Sequence, residues 1–291
     1  MKYRIPAVFV LIYIFSLPLA AQPQSPEEDV SKARLLMSKY RWVQMHYFLQ
    51  GGLHTDFNED VTEGNYFVRH NRLIFNGQTA ENFYFFVQTD DITMNDTTTD
   101  GGNNVFTQDA YMHYRPMDQL QLYMGLLPVP VNRENLLSAA TTLTTSLNRE
   151  SIPLYGYSNN GRDTGIMFRG FLFSEVIDLE YRFGMFQGRG RETGVYRADD
   201  DNPDNDKEYT RNEDSIPRFT TRIQLHLIDR EDGMFYSENY LGKRTIFAFG
   251  LGFDMQPQVM DKDEDGEFEN YFAISGDVDV QVPLGGGGAT A

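Results

Sequence analysis

"RFTTRIQLH" (218–226) puts a polar or charged side chain at every second position, and "DLEYRFGMF" (178–186) does so at Asp178, Glu180 and Arg182. Successive side chains of an extended strand point to opposite faces. Arg218, Thr220, Arg222, Gln224 and His226 therefore share one face and oppose Phe219, Ile223 and Leu225, while Glu180 and Arg182 oppose Leu179, Tyr181, Phe183 and Met185. A face that carries guanidiniums and carboxylates beside water can set the field that a passing ion meets, and charged rings at a constriction decide which sign passes. Other chemistry has less support. The five histidines, His46, His54, His70, His113 and His226, fall on separate segments without the close ligand spacing of a zinc site. Ser151, Ser158, Asp163 and His113 could supply a hydrolytic set, but the chain has no GxSxG elbow, so no enzyme and no cofactor is expected. "DKDEDGEFENYF" (261–272) opens like a calcium loop with Asp261, Asp263, Asp265 and Gly266. Phe272 stands where the bidentate glutamate belongs, so a solvated loop is the simpler reading and a weak calcium site the alternative.

The elements that position these residues are strands. With 22 Phe, 17 Tyr and 25 Gly among 291 residues, the composition suits pleated surfaces and tight turns, and the absence of cysteine excludes disulfide staples. Residues 1–21, "MKYRIPAVFVLIYIFSLPLAA", place Lys2 and Arg4 before an apolar run and a small-residue end, the pattern of an export leader. Residues 22–39 read as a polar periplasmic segment. No later stretch reaches the ~20 apolar residues of a spanning helix. A formal charge of −17 repels nucleic acid, and its densest acid, 199–214 and 261–269, lies between strand-like runs.

Ten period-two runs follow: 40–50, 65–78, 82–92, 105–115, 119–127, 164–173, 178–188, 218–228, 240–255 and 271–282. Most have the ~9 to 11 residues that a tilted strand needs to cross a hydrocarbon layer. The gaps between them alternate long and short, with 229–239 the longest of the short set. Tight periplasmic turns and free outer loops give a membrane meander this rhythm. The expectation is an all-β, antiparallel, up-and-down transmembrane β-barrel over 40–282, with Leu120, Leu122, Met124 and Leu126 toward lipid. The lumen face is then Gln44, His46, His70, Arg72, Gln88, Asp109, His113, Gln121, Tyr123, Arg169, Glu180, Arg182, Arg218, Arg222, Gln224 and His226. A lipid-facing Arg or Lys at mid-depth costs about 2 to 4 kcal/mol, so Arg182 and Arg222 should meet water.

Four segments, "YRWVQMHYFLQGGL" (40–53), "FYFFVQTDD" (83–91), "FTQDAYMHYRPMDQLQLYMGLLPVP" (106–130) and "GRDTGIMFRGFLF" (161–173), resemble the phosphate-selective porin O and P family of outer-membrane proteins. The resemblance implies a trimeric barrel of about sixteen strands, within the even numbers usual for such walls. It also implies a third outer loop folded inward, here the gap 128–163 with Arg133, Glu134, Arg149, Arg162 and Asp163. With ten strands and a Gly-rich end at 283–291, read as a periplasmic turn, the chain is expected to be incomplete. Asp90, Asp109, Glu180, Asp277 and Asp279 share the arginine face, which puts the family's anion preference in doubt. The functional expectation is passive diffusion of small hydrophilic solutes, including phosphate or other anions, across the outer membrane. The alternative is an exported β-protein that binds partners through acidic loops.

Overall fold

The computed structural model describes residues 9–17, 42–57, 62–91, 105–141, 161–173, 177–196, 207–261, 268–284 and 287–290. Two compact units divide the chain, residues 1–114 and 115–291.

In the first unit, β1 (Phe9–Leu17), β2 (Trp42–Phe57), β3 (Thr62–Ala80), β4 (Phe83–Asp91) and β5 (Val105–Met117, which runs past the division) pair antiparallel in chain order. β1 lies inside the expected leader and sets Ile12 opposite Gln50. Asn82 closes the β3–β4 hairpin at φ 63°, a left-handed conformation that asparagine tolerates. Aromatic pairs tie β4 to β5: Phe83 stacks on Tyr114 at 4.5 Å and Phe86 on Tyr111 at 5.2 Å between centroids.

The second unit continues with β6 (Leu120–Pro128), β7 (Arg162–Phe173), β8 (Asp178–Phe186), β9 (Glu192–Tyr196), β10 (Lys207–Arg211), β11 (Arg218–His226), β12 (Ile246–Asp261), β13 (Phe268–Leu284) and β14 (Gly287–Thr290). Its main sheet runs β6-β7-β8-β11-β12-β13-β14, antiparallel throughout, and β9–β10 form a separate hairpin. Among the described residues no ladder joins β13 or β14 back to β6.

All ten expected runs are strands, and their faces separate as the alternation predicts. What differs is where they end. β2 and β3, at 16 and 19 residues, and β12 and β13, at 16 and 17, reach into the gaps 51–64 and 256–270, which shrink to 58–61 and 262–267. The gap 189–217 contains β9 and β10, and β14 folds back on β13 within the expected Gly-rich turn. β12 begins at Ile246 rather than Tyr240, so the supposed short gap 229–239 belongs to a longer segment, 227–245.

Burial is inverted relative to a water-soluble sheet. Met124 is 51% exposed, Phe183 45% and Ile223 39%, whereas Arg182 is 0% and Gln224 1% exposed. Soluble proteins seldom bury charge without partners and seldom expose a continuous apolar face. This sheet does the first with partners in place, and the second along β6, β7, β8, β11, β12 and β13.

Candidate functional site

In the first unit, alternation on β3 and β4 brings Arg72 and His70 to Asp90. Arg72 Nε donates to Asp90 Oδ2 at 2.8 Å, and His70 Nδ1 lies 2.9 Å from the same oxygen. Beside them Gln88 Nε2 donates to the buried Asp109 at 3.1 Å. His113 tilts against Tyr84 at 5.6 Å. His46 is half-buried and Gln44 exposed. This face is lined by compensated charge rather than by free cations.

The second unit holds the denser site. Strand register places Gln121, Arg169, Arg182 and Arg222 opposite one another on β6, β7, β8 and β11, so three guanidiniums stand side by side at one level. Neighbouring strands are about 4.8 Å apart, and such a row repels itself unless anions are threaded through it. Glu180 does this on one side, accepting from Arg169 Nε at 2.6 Å and Arg182 Nε at 2.7 Å, and Asp277 takes both terminal nitrogens of Arg222 at 2.7 Å. His226 Nε2 lies 3.3 Å from the second oxygen of Glu180. Gln121 and Tyr123 bond to each other at 3.0 Å. Arg218 sits apart in a two-bonded pair with Asp254, at 2.7 and 2.5 Å.

Two inserted segments cover this row, and they enter from opposite ends of the sheet, because β6 and β11 are antiparallel through β7 and β8. The first, 129–141, leaves β6. Asn135 holds its bend, donating from Nδ2 to Val129 O at 2.6 Å and Gly161 O at 2.9 Å. Ser275 Oγ fixes Val131 O at 2.5 Å. The second, 227–245, begins as a stem, with Leu227 N on Phe247 O and Asp229 N on Thr245 O at 2.9 and 3.1 Å, and then turns over the arginines. Arg169 Nη1 donates to Asp232 O at 3.0 Å and Arg182 Nη1 to Met234 O at 2.9 Å.

The segments meet at Tyr236. Tyr236 N donates to Leu136 O at 2.8 Å and Ser138 N to Tyr236 O at 2.9 Å. Its hydroxyl donates to Glu180 at 2.9 Å, and the guanidiniums of Arg182, Arg133 and Arg222 lie 4.7, 4.8 and 5.7 Å from its ring centroid. A cation over a ring face is attracted by the ring quadrupole, more strongly where water is excluded. Burial pushes the phenol above its ordinary pKa; Arg182 opposes that and Glu180 adds to it. Arg133 closes the contact by a two-bonded pair with Glu231, which also accepts from Gln224 and Tyr240.

Alternation therefore located Arg169, Glu180, Arg182, Arg222, Gln224 and His226, which the structure brings together. It did not locate Glu231 and Tyr236, although "MFYSENY" (234–240) is unusually aromatic for a periplasmic turn. Three expectations need correction. Arg182 and Arg222 do not meet water, because the 227–245 segment lies on them. The arginine row is covered by two segments, 129–141 and 227–245, rather than by the 128–163 gap alone. Arg162 and Asp163 open β7 instead of lying in the loop: Arg162 faces the Phe235 ring at 5.8 Å and Asp163 accepts from Gly188 N at 2.9 Å. Arg133 and Glu134 are in the first segment, whereas Arg149, Asp263 and Asp265 lie outside the described residues. Asp261 closes β12 opposite Phe268, and among the described residues no group of three His, Asp or Glu is placed to hold a metal.

No protein-family model, curated protein or solved structure matches this chain.

Proposed function

We propose that the chain forms wall strands of an outer-membrane β-barrel pore that passes small hydrophilic solutes, including inorganic anions, after removal of an export leader. The observation that carries this reading is the inverted burial: apolar side chains such as Met124, Phe183 and Ile223 are exposed, while the opposite face buries paired charge. A membrane supplies the environment in which that sorting costs least, since the hydrocarbon takes the apolar face and the interior keeps the charges. Strands of 16 to 19 residues exceed the ~9 to 11 needed to cross, so β2, β3, β12 and β13 would project beyond the lipid.

Within this reading, 129–141 and 227–245 together narrow the path. Positive and negative groups alternate there, so sieving by size precedes selection by charge. The resemblance to phosphate-selective porins supports a homotrimer, and the acidic outer gaps would face the medium. The test begins with fractionation: the complete protein should partition into the detergent-extracted outer membrane. Reconstituted in planar bilayers, it should give stepwise conductance with a small reversal potential in a salt gradient. Recovery in the aqueous periplasm without conductance would instead support the reading as an exported binding module.

A further inference from the structure

The buried wall around the arginine row is short of acceptors. Arg169, Arg182 and Arg222 face two wall carboxylates, Glu180 and Asp277, and one wall amide, Gln224 Oε1 at 2.8 Å from Arg222 Nη2, and further acceptors come from the 227–245 segment. That segment contributes carbonyl oxygens to Arg169 and Arg182, a carboxylate that receives Gln224 and Arg133, and a hydroxylated ring that meets three guanidiniums. Even so, buried Arg182 Nη2 and Arg222 Nε keep no hydrogen-bond partner. Buried donors are seldom left unmade, so open donors on a cationic row mark a place for further acceptor oxygens.

We propose that the row Arg169–Arg182–Arg222, together with Arg133, is a binding site for aromatic carboxylates, and that residues 231–236 are its tethered occupant. Glu231 and Tyr236 present the two halves of such a ligand, a carboxylate on a guanidinium fork and a phenol stacked between guanidiniums. Arginine suits both contacts, because its planar fork grips a carboxylate by two bonds and its face stacks on a ring. A free hydroxyaryl acid offers the same two groups without the tether, so its oxygens can shift toward the open donors. Its use as a station for permeating solute rests on the pore reading; the site itself does not.

The chain has no cysteine, so Met234→Cys places a single thiol on the occupant. The folded protein in detergent is treated with a small methanethiosulfonate in the presence of 4-hydroxyphenylacetate, inorganic phosphate or chloride at matched ionic strength. The aryl acid should raise the modification rate about tenfold over phosphate and chloride, because a ligand shifts the segment only through its differential affinity for the vacated site. Equal acceleration by phosphate, or none by the aryl acid, overturns the proposal. Calorimetric titration supplies a second arm: Tyr236→Ala should bind 4-hydroxyphenylacetate about tenfold more tightly than the parent, having lost its competing ring. Arg182→Gln should lose binding. A folded Y236A that binds no more tightly also overturns the proposal, and if Y236A does not fold, the thiol kinetics decide alone. Neither readout needs ion flow. A chain that binds the acid without conducting refutes the pore and leaves the site, and a conducting chain whose thiol ignores the acid does the reverse.

Discussion

Arg133 and Glu231, 98 residues apart in sequence, form a two-bonded ion pair at 2.7 and 2.8 Å at the junction of segments that enter from opposite ends of the sheet. Glu231 is 1% exposed, and Arg133 also touches Asp279 at 2.7 Å and the Tyr236 ring at 4.8 Å. The pair therefore adds an ionic link to the backbone hydrogen bonds that already join the two segments at Leu136, Ser138 and Tyr236.

Breaking this pair from one side should be expensive. Glu231→Ala leaves a buried guanidinium short of its main partner, a situation that costs about 3 to 5 kcal/mol; Asp279 remains within reach and places the expected loss near the lower limit. Arg133→Ala strands Glu231 in the same way. The double variant should lose less than the two losses added together, and urea unfolding from lipid vesicles, analysed as a double-mutant cycle, measures the difference. Strict additivity would mean that the segments are held without this pair.

The first segment also depends on a glycine. A Cβ at Gly252 would fall on Val131 O, the atom that Ser275 Oγ holds, whereas a Cβ at Gly276 would meet only Gly250 O at 3.9 Å. Gly252→Ala should push the segment off the wall and cost about 1 to 3 kcal/mol as an overpacked site does. Gly276→Ala should leave the unfolding midpoint almost unchanged. Equal effects would place Val131 elsewhere in solution.

These contacts mark the limit of what a single sequence discloses. Strand faces were legible because alternation is local: Arg218, Arg222 and His226 announce their side through Phe219, Ile223 and Leu225. Strand ends were less so, since β3 carries an extra residue, Arg69, opposite the Gln50–Gly51 step of β2, and β12 continues past Gln256 by a register shift that breaks its period. The inserted segments were not legible at all. Arg133 finds Glu231, and Leu136 finds Tyr236, only after β6, β7, β8 and β11 have set the two loop stems at opposite ends. Length gave one usable hint, because 229–239 is long for a tight turn and carries Phe235 and Tyr236.

The lipid-facing assignment predicts an asymmetric response to charge. Ile223→Arg puts a cation on the exposed face of β11 and should cost about 2 to 4 kcal/mol in vesicle-based unfolding if Ile223 lies near the bilayer midplane. Brominated lipid should quench a fluorophore at residue 223 or 183 and spare one at residue 121. Quenching with the opposite preference would reverse the two faces.

Acid titration should resolve two carboxylates outside the strands, with opposite signs. Glu134 is raised above its ordinary 4.5 by burial and by neighbouring Glu238. The folded chain therefore keeps a proton that the unfolded chain has released, and stability falls as pH rises from about 4.5 through the folded value, then levels. Asp118 is lowered, chiefly by the hydrogen bond from Arg115 against a smaller effect of burial. Its contribution is complete above the unfolded value of 3.8 and is lost as pH falls through the folded one. Unfolding midpoints measured between about pH 3 and 7 should lose the decline above 4.5 in Glu134→Gln and the acid-side loss in Asp118→Asn. Because Glu134 sits in the turn that carries Leu136 to Tyr236, the same titration should loosen the contact between the two segments. Modification of the thiol in Met234→Cys should then accelerate from pH 4.5 to 7 beyond the reagent's own pH dependence, and E134Q should abolish that excess; an excess that survives E134Q would assign the coupling to another group.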